Sequence, residues 1–161
     1  MDRKQFSALK ILVADAPYMA ALTASMLRAL GARNIVEAHD PRGVHVALAR
    51  EAFNLMLIDD GMPRVDPLEL TRGLRADTQS WNRHVPVLMT FTLASKARIL
   101  SARDAGVTEF LQKPLSANII GLRMAQALVN PRAFVEAPAY SGPDRRRRDA
   151  DISGPDRRKA G

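Results

Sequence analysis

The feature that most constrains the fold of this chain is a regular alternation of short apolar runs with segments of helical periodicity. Apolar runs occur at 11–14 (ILVA), 55–58 (LMLI) and 86–91 (PVLMTF), and their length and composition are typical of buried strands. Two shorter runs, at 34–38 (NIVEA) and 108–113 (TEFLQK), bring the number of predicted strands to five.

The segments between and after these runs carry apolar side chains at helical spacing. They cover residues 19–30, 44–53, 68–74, 94–105 and 116–129. The last segment has a serine at its predicted N-cap, Ser116, and it ends before Pro131. Because strand and helix alternate throughout, the sequence predicts an α/β fold: a doubly wound, five-stranded parallel sheet with helices on both faces.

The composition of the chain changes after this helix. From Asn130 onward Pro, Gly, Ser, Arg and Asp dominate, and the periodicity disappears. We therefore predict a folded domain over residues 1–130 and a basic C-terminal tail over residues 131–161 that is disordered in isolation. Residues 141–161 hold seven Arg or Lys and four Asp, so they carry +3 of the chain's net charge of +7. This excess favours an anionic partner.

Several classes of protein are excluded by what the sequence lacks. The chain contains no cysteine, which excludes disulfide frameworks, thiolate zinc sites and cysteine nucleophiles. It has no glycine-rich phosphate loop and no nucleophile that pairs with a base, so we predict that it is not an enzyme. It also has no apolar run of about 18 residues and no secretory signal, so we expect a cytoplasmic protein without membrane insertion.

Charged residues follow or end three of the predicted strands. Asp15 follows the first strand, Asp59 and Asp60 follow the third, and Lys113 ends the fifth. Because ligands collect at the carboxyl ends of the strands in an open parallel sheet, these groups should share one edge. Carboxylates together with a lysine can hold a divalent cation and a phosphoryl group. The other interpretation is that strand ends simply carry polar residues, and spacing alone does not decide between the two.

Five motifs, in their order and spacing, resemble the receiver domains of two-component response regulators, which have the CheY-like fold. They are ILVADAPYM, LMLIDDGMP, VDPLELTRGLRAD, VPVLM and DAGVTEFLQKP, and the resemblance covers about residues 8–130. It implies that Asp59, in a D-x-x-M-P context, is the phosphoacceptor and that Lys113, in a K-P context, senses the phosphate. It also implies a histidine kinase as a partner and Mg²⁺ as a cofactor.

The sequence departs from the receiver pattern where the family binds Mg²⁺. Receivers carry two adjacent acids after the first strand, whereas this chain has Asp15 alone, between Ala14 and Ala16. A gapless alignment on Asp59 makes Ala14 the lost acid, and an alignment on the apolar run makes Ala16 the lost acid. In either case one carboxylate is missing, so Asp15 and Asp59 form a weak Mg²⁺ site at best.

A second departure concerns the hydroxyl that receivers place 22 residues before the lysine. Counting back from Lys113 leads to Phe91 rather than to Thr or Ser. The adjacent Thr90 and Thr92 would supply a hydroxyl only if the strand end shifted, since a shift of one residue turns a side chain to the other face. Loss of this hydrogen bond to a charged group costs about 1.5–3 kcal/mol. We therefore predict inefficient phosphorylation of Asp59.

The tail contains the hexapeptide SGPDRR twice, at 141–146 and at 153–158. Arginine pairs bidentately with phosphates and with O6 and N7 of guanine, whereas an aspartate accepts from guanine's N1–H and N2 amino group. A D-R-R unit can therefore read two edges of one guanine. A duplicated unit suits cyclic di-GMP, which has two guanines and two phosphates. The Gly-Pro before each unit favours a turn, and Tyr140 can stack on a base.

The predicted ligand-binding residues belong to the two units and the residues that lead into them. They are Tyr140, Gly142, Pro143, Asp144, Arg145, Arg146, Arg147, Arg148, Asp156, Arg157 and Arg158. A receiver with this tail resembles the Cle-type CheY-like regulators, whose arginine-rich extensions bind cyclic di-GMP and which act at the flagellar motor. The resemblance implies a non-enzymatic adaptor whose tail becomes ordered on the ligand and docks on a flagellar motor switch protein, with recruitment to the flagellated pole. Such docking would tune motility or surface attachment.

Three other interpretations remain open. The chain can be a phosphorylation-dependent single-domain regulator in a histidine kinase relay, with Asp59 as its phosphoacceptor. The tail can be only a solubilising end. It can also bind nucleic acid nonspecifically, although its interleaved aspartates would repel a phosphate backbone and argue against nucleic acid as a partner.

Overall fold

The computed structural model of the protein describes residues 1–146. Its helices are α1 (Arg3–Ala8), α2 (Pro17–Leu30), α3 (Pro41–Arg50), α4 (Pro67–Ala76), α5 (Lys96–Asp104) and α6 (Ala117–Val129). Its strands are β1 (Lys10–Ala14), β2 (Asn34–Ala38), β3 (Leu55–Asp59), β4 (Val87–Phe91), β5 (Glu109–Gln112), β6 (Phe134–Ala137) and β7 (Tyr140–Pro143). No helix in this part of the chain combines the length and the apolar character needed to cross a bilayer.

The first five strands form one parallel sheet in the order β2-β1-β3-β4-β5. This confirms the predicted doubly wound α/β fold with five strands. The chain moves outward from β1 in one direction to β2 and then in the other direction to β3, β4 and β5. The reversal opens a crevice at the carboxyl ends of β1 and β3, which is where ligands bind in sheets of this kind.

Both faces of the sheet are buried, because alternate residues of each strand point to opposite sides. In β3, Met56 and Ile58 pack in one apolar cluster with side chains of α3 and α4. Leu55 and Leu57 pack in a second cluster with side chains of α2 and α6. Every residue of β3 is buried, so this strand carries its terminal aspartate into the centre of the molecule.

The helices begin where the sequence supplies a side-chain acceptor or a proline. In α3 to α6, the caps that accept a hydrogen bond from a first-turn amide are Asp40, Asp66, Ser95 and Ser116, and the predicted cap at Ser116 is thereby confirmed. Prolines occupy the first helical position after Asp40 and Asp66, where the missing N–H costs nothing. These caps set where α3, α4, α5 and α6 start relative to the strand that precedes each of them.

One short helix was not predicted. Asp2 accepts a hydrogen bond from the Gln5 amide, and the Gln5 side chain accepts one from the Asp2 amide, which is a capping box at the start of α1. Phe6 of this helix inserts into the cluster beneath α2 and α6. The D-x-x-Q pattern at residues 2–5 was the sequence signal for this helix.

The prediction that the chain loses regular structure from residue 131 was wrong for residues 134–143. These residues form an antiparallel hairpin, β6–β7, that turns at Pro138 and Ala139. The hairpin is ordered by packing against the domain: the Phe134 ring stacks on His84 with ring centroids 4.1 Å apart, and Tyr140 and Gly142 are buried. The rest of the predicted tail, from residue 147, lies outside the described residues.

Candidate functional site

Four side chains lie together on one face at the carboxyl edge of the sheet. They are Asp15, Asp59, Thr90 and Lys113. Asp59 pairs in register with Thr90, and Ala14 pairs with Ile58, which brings Asp15 next to Asp59. Side chains at paired positions of neighbouring parallel strands point to the same face. The structure thus brings together Asp15, Asp59 and Lys113, as expected from their positions at the strand ends.

The two carboxylate oxygens of Asp59 are held differently. Oδ1 lies 2.7 Å from Lys113 Nζ and accepts a 2.8 Å hydrogen bond from Thr90 Oγ1. Oδ2 accepts one hydrogen bond, from the Gly61 amide at 3.1 Å. A Cβ atom at Gly61 would lie 3.0 Å from Oδ2, so glycine keeps the approach to this oxygen open. Oδ2 is therefore the Asp59 oxygen more available for a reaction.

Thr90 is the site residue that sequence reasoning misplaced. Counting along the chain made Phe91 the equivalent of the family's hydroxyl residue, and Thr90 was expected to reach the site only through a shift of the strand. No shift is needed, because the pairing of β3 with β4 already puts Thr90 on the face of Asp59. Phe91 points to the opposite face, where its ring packs 6.1 Å from that of Phe110. The register between two strands had no signal in the sequence.

The charges at the site are strongly coupled. Lys113 Nζ lies 3.2 Å from Asp15 Oδ2 as well as 2.7 Å from Asp59 Oδ1. Burial and the nearby Asp59 raise the pKa of Asp15, although Lys113 and the Ala16 amide act in the opposite direction. Burial disfavours the ammonium of Lys113, but its hydrogen bond to Asp59 and the charges of both aspartates outweigh burial and raise its pKa. Lys113 therefore stays charged and joins the two carboxylates.

The residues at this edge do not fit Mg²⁺ as they are arranged. Within residues 1–146 no group of three His, Asp or Glu side chains could surround a metal ion. Asp15 and Asp59 are the acids at the crevice, and the ammonium of Lys113 already contacts both. Asp15 lies beside Asp59, whereas the Ala14 side chain is buried in the cluster on the other face. An acidic side chain at position 14 would therefore point away from the crevice.

Asp60, also predicted at this edge, faces away from the crevice and pairs with α5. Arg98 Nη2 lies 2.6 Å from Asp60 Oδ1 and 2.7 Å from Asp66 Oδ1. The hydrogen bond from Arg98 lowers the pKa of Asp66, and both aspartates raise the pKa of Arg98. One guanidinium therefore ties the start of α5 to the end of β3 and to the start of α4.

The hairpin carries the first SGPDRR copy to the opposite end of the sheet. The Gly142 backbone lies against Gly106, which precedes β5, and a Cβ at position 142 would lie 3.0 Å from Gly106 Cα. Ser141 Oγ donates to the Arg75 carbonyl at 3.1 Å, at the end of α4. Arg132, just before the hairpin, contacts Glu109 at the start of β5, at 2.7 Å. The hairpin therefore lies near the amino ends of the strands, far from the carboxyl edge that holds Asp59.

A buried arginine organises the surface on which the hairpin sits. Arg75 is 1% exposed and donates to the carbonyls of Gly106, Arg83 and Val85. None of its hydrogen bonds goes to a carboxylate, and burial lowers its pKa to about 10. The charge is stabilised by three carbonyl dipoles from two loops, which locks the end of α4 to the starts of β4 and β5.

Within residues 1–146, the predicted binding residues of the tail fall in two groups. Tyr140, Gly142 and Pro143 are buried within β7, so the predicted turn at Gly142 and Pro143 is a strand here. Tyr140 was predicted to stack on a base, but its hydroxyl donates to the Pro143 carbonyl and the Arg145 guanidinium covers its ring at 4.3 Å. Asp144 accepts from the Arg146 amide at 2.9 Å, and the Arg145 and Arg146 side chains are exposed.

The other predicted tail residues lie outside the described part of the chain. They are Arg147, Arg148, Asp156, Arg157 and Arg158.

Comparisons with known proteins agree with this architecture. A family model described as the response regulator receiver domain matches residues 11–124. The chemotaxis protein CheY of Pseudomonas aeruginosa is 33% identical over 113 residues, which cover 70% of this chain and 90% of that protein.

Two solved structures are similar over most of their length. A response regulator receiver domain from Bermanella marisrubri is 25% identical with a TM-score of 0.64, and the match covers 81% of this chain and all (100%) of that one. The receiver domain of a Pseudomonas aeruginosa sensor histidine kinase, solved with a magnesium ion coordinated in its active site cleft, is 24% identical with a TM-score of 0.66. That match covers 76% of this chain and 98% of the other.

Proposed function

Since this chain belongs to the response regulator receiver domain family of two-component signalling, we propose that it is a non-enzymatic adaptor whose arginine-rich C-terminal segment binds cyclic di-GMP. The ligand-bound form then docks on a component of the flagellar motor. Receivers transmit signals by changing the surface they offer to partners, and in this chain the arginine-rich segment supplies the input.

The observation that carries the proposal is that the hairpin anchors the first SGPDRR copy to the receiver. The Asp144 amide donates to the Ala133 carbonyl at 2.7 Å, which fixes the exit from β7. Asp144 then caps the Arg146 amide, and the exposed Arg145 and Arg146 follow immediately. A guanidinium fork can pair with phosphates and with guanine, and an aspartate can accept from guanine's other edge. A ligand bound by these residues would therefore lie against the folded domain.

The docking step uses the face formed by α5, β5 and α6. Large apolar side chains are exposed on or beside these helices, namely Leu93, Leu100, Ile119 and Leu122. Isolated exposed apolar residues are ordinary, but four of them on or beside α5 and α6 favour this region as a surface that binds another protein. The motor component as partner rests on the resemblance of the chain to Cle-type regulators.

Calorimetric titration of cyclic di-GMP, with GTP as a control ligand, tests the proposal. The full-length chain is compared with a truncation that ends at Asp144, because a cut at this point keeps both strands of the hairpin and removes every arginine of the two repeats. A cut inside the hairpin would also disrupt the packing of Tyr140, so a loss of binding could not be assigned to the arginines. We expect saturable binding by the full-length chain and none by the truncation.

A charge-matched pair of variants separates recognition from general electrostatics. Arg145→Ala with Arg146→Ala removes two arginines from the first repeat, and Arg42→Ala with Arg50→Ala removes two exposed arginines of α3. Only the first pair should weaken binding markedly. Equal weakening by both pairs, or binding of GTP with the same affinity, would contradict recognition by the repeats.

A second function, phosphorylation at Asp59, is favoured by one specific observation: Thr90 supplies the hydroxyl next to Asp59. In this reaction the Asp59 carboxylate attacks the phosphorus of an acyl phosphate or phosphohistidine. The bond between phosphorus and the donor's leaving group breaks, and the leaving group departs with the bonding electrons. The product is an acyl phosphate on Asp59, with Lys113 and Thr90 beside it.

Labelling with acetyl phosphate, with Asp59→Ala as the control, tests this second function. Robust labelling that is lost in Asp59→Ala would make phosphorylation the main input and the arginine-rich segment a secondary one. The titration and the labelling are independent experiments, so each function can succeed or fail without the other.

A further inference from the structure

Arg145, the first arginine of the first SGPDRR copy, is engaged twice by the rest of the chain. Its Nη1 lies 3.0 Å from Asp104 Oδ1, and its guanidinium carbon lies 4.3 Å from the centroid of the Tyr140 ring. The Asp104 side chain is exposed, and although slight burial of the carboxyl acts to raise its pKa, the hydrogen bonds from Arg145 and Arg103 outweigh burial and lower it. The arginine closest to the folded domain is thus already paired with a carboxylate of that domain.

The second copy of the hexapeptide does not carry the same combination of residues. Where the first copy is preceded by Tyr140, the second is preceded by Ile152. Isoleucine has no π system on which a guanidinium could stack. The two copies are therefore unequal in their sequence, and Arg157 is a matched comparison for Arg145.

Asp104 is the last residue of α5, a helix that packs against the apolar core through Ile99 and Ala102. Ala102 is the only fully buried residue of α5, and Leu100 is 39% exposed. The start of the helix is held by Arg98 between Asp60 and Asp66. The end is held by the pairing of Asp104 with Arg145. Polar contacts with Asp60, with the start of α4 and with the arginine-rich segment therefore add to this packing at the two ends of the helix.

We propose that Arg145 is shared between Asp104 and the nucleotide, so that cyclic di-GMP withdraws the guanidinium from Asp104 and loosens the C-terminal end of α5. The inference rests on the proposed function and adds its regulation. A guanidinium fork that pairs with a phosphate or a guanine cannot keep the same geometry on Asp104. The carboxylate is thus an internal competitor of the ligand, and the coupling acts in both directions.

The coupling connects the two ends of the sheet through one helix. Arg98, near the start of α5, binds Asp60, which directly follows Asp59 in the chain. Asp104, at the other end of the same helix, binds the arginine-rich segment. Loss of the Asp104 contact would therefore alter α5, the helix that also contacts Asp60, the residue after the candidate phosphoacceptor. Asp59 itself would not change.

The first test is the affinity of Asp104→Asn for cyclic di-GMP, measured by calorimetry. Removing the competing carboxylate should tighten binding about two- to fivefold, as expected when an exposed ion pair is lost. The control Glu37→Gln removes one negative charge from β2, at the far edge of the sheet, and should not change the affinity. If the wild-type chain does not bind, the proposed function fails. If it binds and Asp104→Asn binds equally or more weakly, only the shared role of Arg145 is overturned.

The second test is hydrogen exchange of the amides at the end of α5, measured by NMR without nucleotide. The amides of Ala105, Gly106 and Val107 donate to carbonyls of the last turn of α5. Arg145→Ala should raise their exchange rates several-fold, and Arg157→Ala, which removes an arginine from the other copy, should not. Cyclic di-GMP should produce the same increase in the wild-type chain. Equal effects of the two variants, or increased protection on adding the nucleotide, would overturn the inference.

Discussion

Thr90 Oγ1 donates a hydrogen bond to Asp59 Oδ1 at 2.8 Å, and both residues are buried at the carboxyl edge of the sheet. The hydroxyl comes from one position before the one at which counting from Lys113 places it. It reaches the carboxylate because Asp59 and Thr90 are paired in register across β3 and β4. Asp59, the candidate phosphoacceptor, therefore has the hydroxyl partner that counting along the sequence had suggested was lost.

Replacing Thr90 by valine should lower the free energy of unfolding by about 1.5–3 kcal/mol, since a buried hydrogen bond to a charged group is lost. Thr90→Ser keeps the hydroxyl, so its free energy of unfolding should fall by less. Thr92→Val is the control, because Thr92 is exposed and has no such contact. Urea unfolding of the three variants measures the difference. Equal stability of Thr90→Val and Thr92→Val would show that the hydrogen bond does not stabilise the fold.

Asp15→Asn should raise the free energy of unfolding at pH 7. Burial and the charge of Asp59 raise the pKa of Asp15 in the folded protein, so its ionisation costs stability there. As the pH falls through the raised pKa, the folded wild-type chain takes up a proton before the unfolded chain does, and it gains stability. The advantage of the variant should therefore shrink with falling pH and stop changing below the ordinary value of 3.8.

Unfolding of wild type and Asp15→Asn in urea at a series of pH values measures this difference. Other titrating groups cancel in it because both chains carry them. The quantity compared is the free energy of unfolding of Asp15→Asn minus that of the wild-type chain. If it rises as the pH falls, pairing with Lys113, rather than burial, dominates the ionisation of Asp15.

Two glycines should respond in opposite ways to substitution by alanine. A Cβ at Gly142 would lie 2.7 Å from the Tyr140 hydroxyl oxygen, whereas a Cβ at Gly73, in α4, would meet nothing within 4 Å. Gly142→Ala should therefore destabilise the docked hairpin by about 1–3 kcal/mol. Gly73→Ala should stabilise the protein by about 0.5–1 kcal/mol, as expected in a helix interior.

Hydrogen exchange of the Asp144 amide, which is bonded to the Ala133 carbonyl, measures docking of the hairpin directly. Urea unfolding measures the effect of Gly73→Ala. Unchanged protection of the Asp144 amide in Gly142→Ala would mean that the hairpin tolerates a methyl group at this contact.

Arg132→Met should destabilise the protein by about 3 kcal/mol, since it removes the closer partner of a buried carboxylate. Glu109 is 2% exposed and lies 2.7 Å from Arg132 and 3.4 Å from Arg123. Arg123→Met is the control and should cost less, because the closer ion pair remains.

Adding Glu109→Leu to Arg132→Met should restore part of the lost stability, since no buried charge is left without its closer partner. Unfolding in urea measures all of these variants. A double variant less stable than Arg132→Met alone would show that Glu109 stabilises the fold independently of Arg132.

Some parts of the site could be predicted because they follow from local rules. Asp59 and Lys113 end apolar runs, and strand ends in a parallel sheet share one edge, so their proximity followed from the pattern of strands. The contacts of Arg75 and Arg98 had no such signal. Each of these arginines contacts residues from two or more separate segments, and nothing in the local sequence distinguishes them from exposed arginines.

For the hairpin, the sequence did carry a signal, but its composition predicted the wrong structure. Residues 131–146 have the composition of a flexible tail, and the short strands β6 and β7 would not be stable as an isolated pair. They are ordered because Phe134 stacks on His84, and because Arg83 donates to Ser141 and pairs with Glu136 at 2.7 Å. Composition reports the average behaviour of a segment in water, and it contains no information about a surface elsewhere in the chain that fits the segment.

The sequence by itself determined the alternation of strands and helices, the edge of the sheet at which Asp15, Asp59 and Lys113 meet, and the presence of two arginine-rich repeats. These features depend on periodicity and on the order of segments along the chain. Only the tertiary structure decided that Thr90 rather than Phe91 faces Asp59, and that Arg145 pairs with Asp104. Strand register and the docking of a hairpin are set by contacts between residues far apart in the chain, whose energies no local pattern records.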